Sequence, residues 1–178
     1  MGNNFDIRIT VPMHPKGKKS PRAGTVTNRT TGKVKATIFK DTSTRKWEDT
    51  FAVVAAAYMP KVMLTGPLWV DIAAVFDRPK YMLFKYKRTG KYKYPTGLIP
   101  HDVKPDSDNV RKSVQDALKA HWSDDKLICI GETVKSYREI DGKPRVSVRI
   151  REASPEDVKC AVYVIEDNGA ALDKVIFE

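Results

Sequence analysis

The residues best suited to chemistry in this chain are a short series of carboxylates with a lysine among them. Asp106 and Asp108 lie in the run Lys104-Pro105-Asp106-Ser107-Asp108-Asn109. Lys112 follows one helical turn past Asp108, and a second acidic pair, Asp124-Asp125, comes after the helix that this run begins. Two carboxylates held close together repel, and ionising both becomes costly unless a cation lies between them. A divalent ion that prefers oxygen removes that penalty and uses both groups as hard ligands. The spacing of two residues around a turn lets both side chains converge on one ion. A structural reading stands beside this one. Asp106, Ser107 or Asp108 can cap the helix, Lys112 can be an ordinary i, i+4 partner of Asp108, and Asp124-Asp125 can be a solvated turn. The spacing does not fit a calcium-binding EF-hand, because Val110 and Arg111 stand where a ligand and a glycine are needed. Zinc and a disulfide framework fit no better, since Cys129 and Cys160 are isolated and no histidine cluster accompanies them.

These side chains need elements to hold them. Phe5, Ile7, Ile9 and Val11 alternate with Asp6, Arg8 and Thr10, the period-two pattern of a half-buried strand, which Pro12 and Pro15 stop. The basic, turn-rich stretch that follows predicts a loop with a short hairpin near Thr25 to Phe39. Cap-type residues Thr42, Ser43 and Thr44 precede Trp47, Phe51, Val54 and Tyr58, whose spacing predicts an amphipathic helix ending at Met59. Leu68 to Phe76 is strongly apolar and reads as a central strand. A second helix, from about Asp108 to His121, gathers Val110, Val114, Ala117, Leu118 and His121 on one face. Leu127 to Tyr137 and Arg145 to Arg151, joined through Asp141-Gly142-Lys143-Pro144, predict an antiparallel hairpin. In the tail, Cys160 to Ile165 and Leu172 to Phe177 predict another. The expected fold class is α/β (α+β), a mixed β-sheet with two main helices packed on it. Residues 1–151 form one domain, and 152–178 an acidic C-terminal extension, a hairpin added to the same domain.

Charge narrows the partner. The 178 residues carry 32 Lys and Arg against 22 Asp and Glu, a formal net charge of +10. Residues 152–178 hold 7 acids and 2 bases, so the first 151 residues carry 30 bases and 15 acids. An excess of that size favours a polyanion. Lys16, Lys18, Lys19 and Arg22 form one basic stretch, and a second runs through the excursion at 78–104 with Lys85, Lys87, Arg88, Lys91, Lys93 and Lys104. These are candidate phosphate contacts. Lys135 is either another or a solvated surface charge. Tyr86, Tyr92 and Tyr94 of the excursion can stack on unpaired bases or pack a hairpin against the core. No apolar run approaches the length of a membrane span, which predicts a cytoplasmic protein without a membrane partner.

Taken in order, these residues resemble the RusA-like Holliday junction resolvases. Asp106-Ser107-Asp108-Asn109 matches that family's Asp-x-Asp-Asn start of a helix, and Lys112 its following lysine. Asp116-Ala117-Leu118 matches its Asp-Ala-Leu, Asp124-Asp125 its acidic pair, and Lys135 a lysine of the next strand. The likeness is specific over residues 104–151 and weaker from Phe5 to Phe76, where Pro15-Lys16-Gly17-Lys18 through Pro21-Arg22 looks like the family's basic loop. The resemblance implies a homodimeric endodeoxyribonuclease dependent on Mg2+, with Mn2+ as a substitute. It implies action on four-way junctions or related branched DNA in recombination and repair, in a bacterial or phage-infected cell. Residue by residue, it implies Asp106, Asp108 and Asp125 as catalytic metal ligands, with Asp124 the less certain member of its pair, and Lys112 as the essential lysine. Other readings are a branched nucleic-acid-binding module without chemistry, and a metal-dependent nuclease acting on flaps or RNA.

Overall fold

The computed structural model describes residues 5–18, 22–39 and 41–162. In chain order its elements are β1 (Asp6–Val11), β2 (Arg22–Thr27), β3 (Val34–Phe39), α1 (Thr42–Ala55), β4 (Leu68–Phe76), β5 (Ile99–Pro100), α2 (Ser107–Leu118), β6 (Ile128–Ile130), β7 (Thr133–Tyr137) and β8 (Arg145–Glu152), and residues 155–162 form a third helix, α3.

The apolar run of β4 takes the centre of a mixed six-stranded sheet, as its composition predicts. β8 pairs with it antiparallel on one edge, and β6 and β7 pair with it in parallel on the other. β1 lies outside β8 and the short β5 outside β7, both antiparallel. Alternation decides which side chains go inward. Ile9 and Val11 of β1, Leu68, Val70, Ile72 and Ala74 of β4, and Val146, Val148 and Ile150 of β8 are buried in one core cluster. Trp47, Phe51 and Ala55 of α1 and Val110, Val114 and Leu118 of α2 close that cluster from the helical side. The expected fold class therefore holds, with a third helix added. No described helix is long and apolar enough to cross a membrane.

Four local expectations change. The runs predicted as one hairpin, Leu127 to Tyr137 and Arg145 to Arg151, do not pair with each other, because β4 lies between β7 and β8. A central strand must have both edges hydrogen-bonded, and the 138–144 connection is long enough to straddle it, with Arg138 N donating to Phe76 O at 2.8 Å. The first helix stops at Ala55, short of Met59, and tightens into a turn in which Tyr58 N bonds Ala55 O at 2.9 Å. That turn leaves Tyr58 exposed and buries Met59 instead. The second helix runs Ser107–Leu118, and His121 falls in a separate 3-10 turn. In the tail, the first residues of the predicted hairpin, 160–162, are helical. Ser154 N donates to Asp157 Oδ2 at 2.9 Å and Asp157 N to Ser154 Oγ at 3.1 Å, a reciprocal cap with Pro155 just inside the helix. The remainder of that expectation, 163–178, lies outside the described residues. The hairpin near Thr25 to Phe39 forms as β2 and β3, beginning at Arg22 and turning through Gly32 at φ +64°.

Two predictions concern this frame. Gly131, between β6 and β7, has φ +144°, and a Cβ there would lie 1.9 Å from the Val70 carbonyl oxygen of β4. Gly131→Ala is expected to destabilise the protein by about 3 kcal/mol or more, read as a lower denaturant midpoint; an unchanged midpoint would contradict the close approach. On the β1–β8 pair, the Arg149 guanidinium, with Arg8 beside it, holds the Asp6 carboxyl down at about 2. A depressed carboxylate lends stability above its ordinary value of 3.8 and loses it as pH falls through about 2. Asp6→Asn should therefore flatten the acid limb of a stability profile between those values and leave its neutral part nearly as sloped as before.

Candidate active site

The turn that leads into α2 is held from three directions. From the sheet, Lys135 of β7 donates its ammonium to Val103 O at 2.9 Å and Pro105 O at 2.8 Å. From within the turn, the His101 ring stacks on Phe76 at 3.9 Å between ring centres, with Tyr137 at 4.6 Å, and the His101 backbone N–H donates to Lys135 O at 3.2 Å. From the N-terminal basic loop, Lys18 N donates to Asn109 O at 2.8 Å, and the Lys18 ammonium pairs with Asp116. That loop can come so close only because Gly17 has no side chain: a Cβ would lie 2.3 Å from Pro105 Cβ. Between loop and turn is a groove of about 450 Å³ lined by Lys16, Gly17, Lys18, Lys104, Asp106 and Asn109.

Asp106 occupies the N-cap position of α2 with extended backbone (φ −67°, ψ 154°), yet its side chain makes no capping hydrogen bond. Asp41, the N-cap of α1, behaves in the ordinary way and accepts from Ser43 N at 2.9 Å and Thr44 N at 3.1 Å. Asp108 lies in the first turn of α2, its side chain 62 % exposed, with the Lys112 ammonium at 3.3 Å. The two carboxylates and the lysine thus lie together at one end of a helix whose unpaired N–H groups favour negative charge. The second acidic pair is placed differently. Asp124 accepts from Lys126 N at 3.0 Å, a bond that holds its carboxyl below the usual range, and so caps the 3-10 turn that follows. Asp125 Oδ1 accepts from Trp122 Nε1 at 2.9 Å, which orients the carboxylate against a buried indole. Among the described residues, no three His, Cys, Asp or Glu side chains gather around one point that could hold an ion. The donor chemistry at Asp106 and Asp108 nevertheless fits Mg2+, which is commonly held by one or two carboxylates together with water and substrate phosphate.

The expected DNA contacts are distributed as follows. Lys16 donates to Ser43 Oγ at 2.7 Å and lines the groove, as does Lys104. Lys18 is engaged by Asp116, and Lys135 by the two carbonyls of the turn, so in this arrangement both lysines position the site. Lys85, Lys87, Arg88, Lys91 and Lys93 are exposed on the excursion. Lys19 and the Arg22 side chain lie outside the described residues. Several positioning residues escape sequence reasoning. Asp71, the one acid in apolar β4, accepts from Trp69 Nε1 at 2.7 Å and Glu132 N at 3.0 Å, fixing the start of β7. Half-buried Arg111 ties α2 to the same turn through Gly131 O at 3.0 Å. An acid within an apolar strand was the available signal for Asp71; nothing local marks Gly17 or Arg111.

A mixed sheet with α1 and α2 packed on its core, and an Asp-x-Asp pair at the start of α2 beside a lysine-lined groove, define an α/β protein with an acidic site among basic side chains. The chain belongs to the RusA endodeoxyribonuclease family, whose model matches residues 12–151. It is also 34 % identical over 150 residues to the uncharacterized protein YqaN of Bacillus subtilis (strain 168), a match covering 83 % of this chain and 97 % of that protein. The family match contains every residue of the site and ends where the acidic extension begins.

Capping and ligation make different demands on Asp106. If its side chain does not cap, Asp106→Ala should change unfolding free energy by no more than about 0.5 kcal/mol, whereas Asp41→Ala should cost about 1 kcal/mol. Equal losses in chemical denaturation would return Asp106 to a capping role.

Proposed function

We propose that this protein is a Mg2+-dependent, structure-selective endodeoxyribonuclease that cuts four-way junctions or related branched DNA by paired phosphodiester hydrolysis, acting as a homodimer. The observation that carries the reading is Asp106: a carboxylate at an N-cap that leaves the cap unmade, beside Asp108 and at the edge of a lysine-lined groove. In a basic chain, an acidic pair facing the path of a polyanion repels it unless a cation intervenes. Bound by these carboxylates, Mg2+ supplies Lewis acidity to the phosphate and activation of the attacking water.

The chain's own residues do the remainder. Lys16 and Lys104 draw the phosphodiester into the groove, and the N-terminus of α2 adds its N–H groups to the same field. Asp106 and Asp108 would hold the ion. Lys112, one turn along from Asp108, turns its ammonium towards the phosphate as water adds to phosphorus and the bond to the 3′-oxygen breaks, offsetting the charge that develops. Asp125, steadied by Trp122, would supply a third carboxylate for the ion, with Asp124 held in its turn beside it. A four-way junction has near two-fold symmetry, so a C2 dimer presents one such site to each of two opposed strands.

Because no three acidic side chains gather around one point among the described residues, a second reading is a branched-DNA-binding module without chemistry. Labelled four-way junctions, flaps, duplex and single strands, incubated with Mg2+ or EDTA, separate the two. The nuclease reading expects nicks at symmetric positions of the junction with Mg2+ and none in EDTA. Asp108→Asn should bind junctions normally and nick them at least about 100-fold more slowly. Junctions bound but never nicked under any divalent ion would leave only the binding module, and normal cutting by Asp108→Asn would remove the site assignment.

A further inference from the structure

Between β4 and β5 the chain leaves the sheet and returns, and both feet of the excursion are fixed. At its start Arg78 is 5 % exposed, and its guanidinium donates to Arg138 O at 2.6 Å, Pro95 O at 2.7 Å and Gly97 O, fastening the outgoing and returning segments to each other and to the end of β7. A buried guanidinium is tolerated only with its donors satisfied, so this arrangement resists opening. At its end, β5 pairs with β7, and buried His101 stacks on Phe76. Out beyond these anchors, residues 84–93 close a small antiparallel hairpin. Tyr86 N donates to Lys91 O at 2.9 Å and Lys93 N to Phe84 O at 3.0 Å, and Gly90 supplies the turn at φ +66°.

The hairpin carries large aromatic side chains in water. Phe84 is 57 % and Tyr86 54 % exposed, although segment 78–101 contains seven basic residues and no acid. The Lys93 ammonium lies 5.6 Å from the Tyr86 ring centre, and that of Lys85 lies 4.4 Å from the Tyr92 ring centre, so cations and π-faces are interleaved. A paired duplex offers such a surface only phosphates, because its base faces are stacked inside; a branch point offers phosphates and open base faces together. We infer that the 84–93 hairpin is a wedge in which Phe84 and Tyr86 stack on the unstacked base-pair faces at the branch point while the lysines hold the flanking phosphates. This inference rests on the branched-DNA reading above and locates its selectivity. Since β5 continues directly into the turn carrying Asp106, a wedge seated in the branch sets the distance from branch to scissile phosphate.

The test uses the full chain in EDTA, where binding is read without cutting. An immobile four-way junction and a fully paired duplex of equal length are titrated by fluorescence anisotropy with wild type, with Phe84→Ala/Tyr86→Ala and with Phe84→Tyr/Tyr86→Phe. The alanine pair is expected to bind the junction about 10- to 100-fold more weakly and the duplex within about twofold of wild type, while the aromatic pair retains junction affinity. An equal loss on both DNAs, or no loss on the junction, overturns the wedge. Nicking by wild type with Mg2+ is scored separately. Its absence sinks the nuclease reading alone, and the binding comparison still decides the wedge.

Discussion

Strand β4 has both hydrogen-bonding edges paired and one face buried, and the position of nearly every other element follows from that. Its parallel register with β7 puts Lys135 opposite Ala74, from where the ammonium reaches the carbonyls of Val103 and Pro105. The turn so held delivers Asp106 to the start of α2, and α2 is held in turn by the core and by Arg111. Shifting β7 by one residue would point Lys135 away from the turn, because side chains alternate faces. The location of the acidic site is therefore a property of sheet register as much as of the acids themselves.

Charge is distributed on the same plan. Several carboxylates away from the groove are engaged: Asp41 caps α1, Asp116 takes Lys18, and Asp157 takes both Arg151 and the Ser154 N–H, which together hold its carboxyl far below the usual range. Asp106 makes no such cap. In a chain with this excess of positive charge, a carboxylate left uncapped where phosphate would approach conflicts with local stability, and conflicts of that kind concentrate at functional sites. The proposed ion resolves it. The excursion repeats the pattern on a larger scale, with exposed aromatic rings on a basic hairpin whose feet are immobilised by Arg78 and His101. Functional side chains on loops need a rigid base, and this one is bolted to the strand next to β4.

Much of the site was legible beforehand because it is written locally. The Asp-x-Asp run, Lys112 and the following acids lie within one helix of 12 residues and the loop after it, and the helical period places Asp108 beside Lys112 without further information. The start of the tail was legible too: Ser154-Pro155 with Asp157 is a helix-start signal, and residues 160–162, expected to open a strand, are helical. The insertion of β4 between β7 and β8 was not legible, since alternation states which face is buried and leaves the neighbouring strand unspecified.

The sequence by itself determined the central apolar strand, the two amphipathic helices, the hairpin of β2 and β3, the basic excess and the order of the acidic residues, because periodicity, turn chemistry and spacing act over a few residues. Only the tertiary structure decided that β4 separates β7 from β8, that Lys18 and Lys135 are tied to the site's frame, that Asp106 leaves its cap unmade, and that Asp125 is bonded to the Trp122 indole. Each of these depends on which group lies within hydrogen-bonding reach through space. That is settled by how distant segments close around a shared core, not by any segment alone.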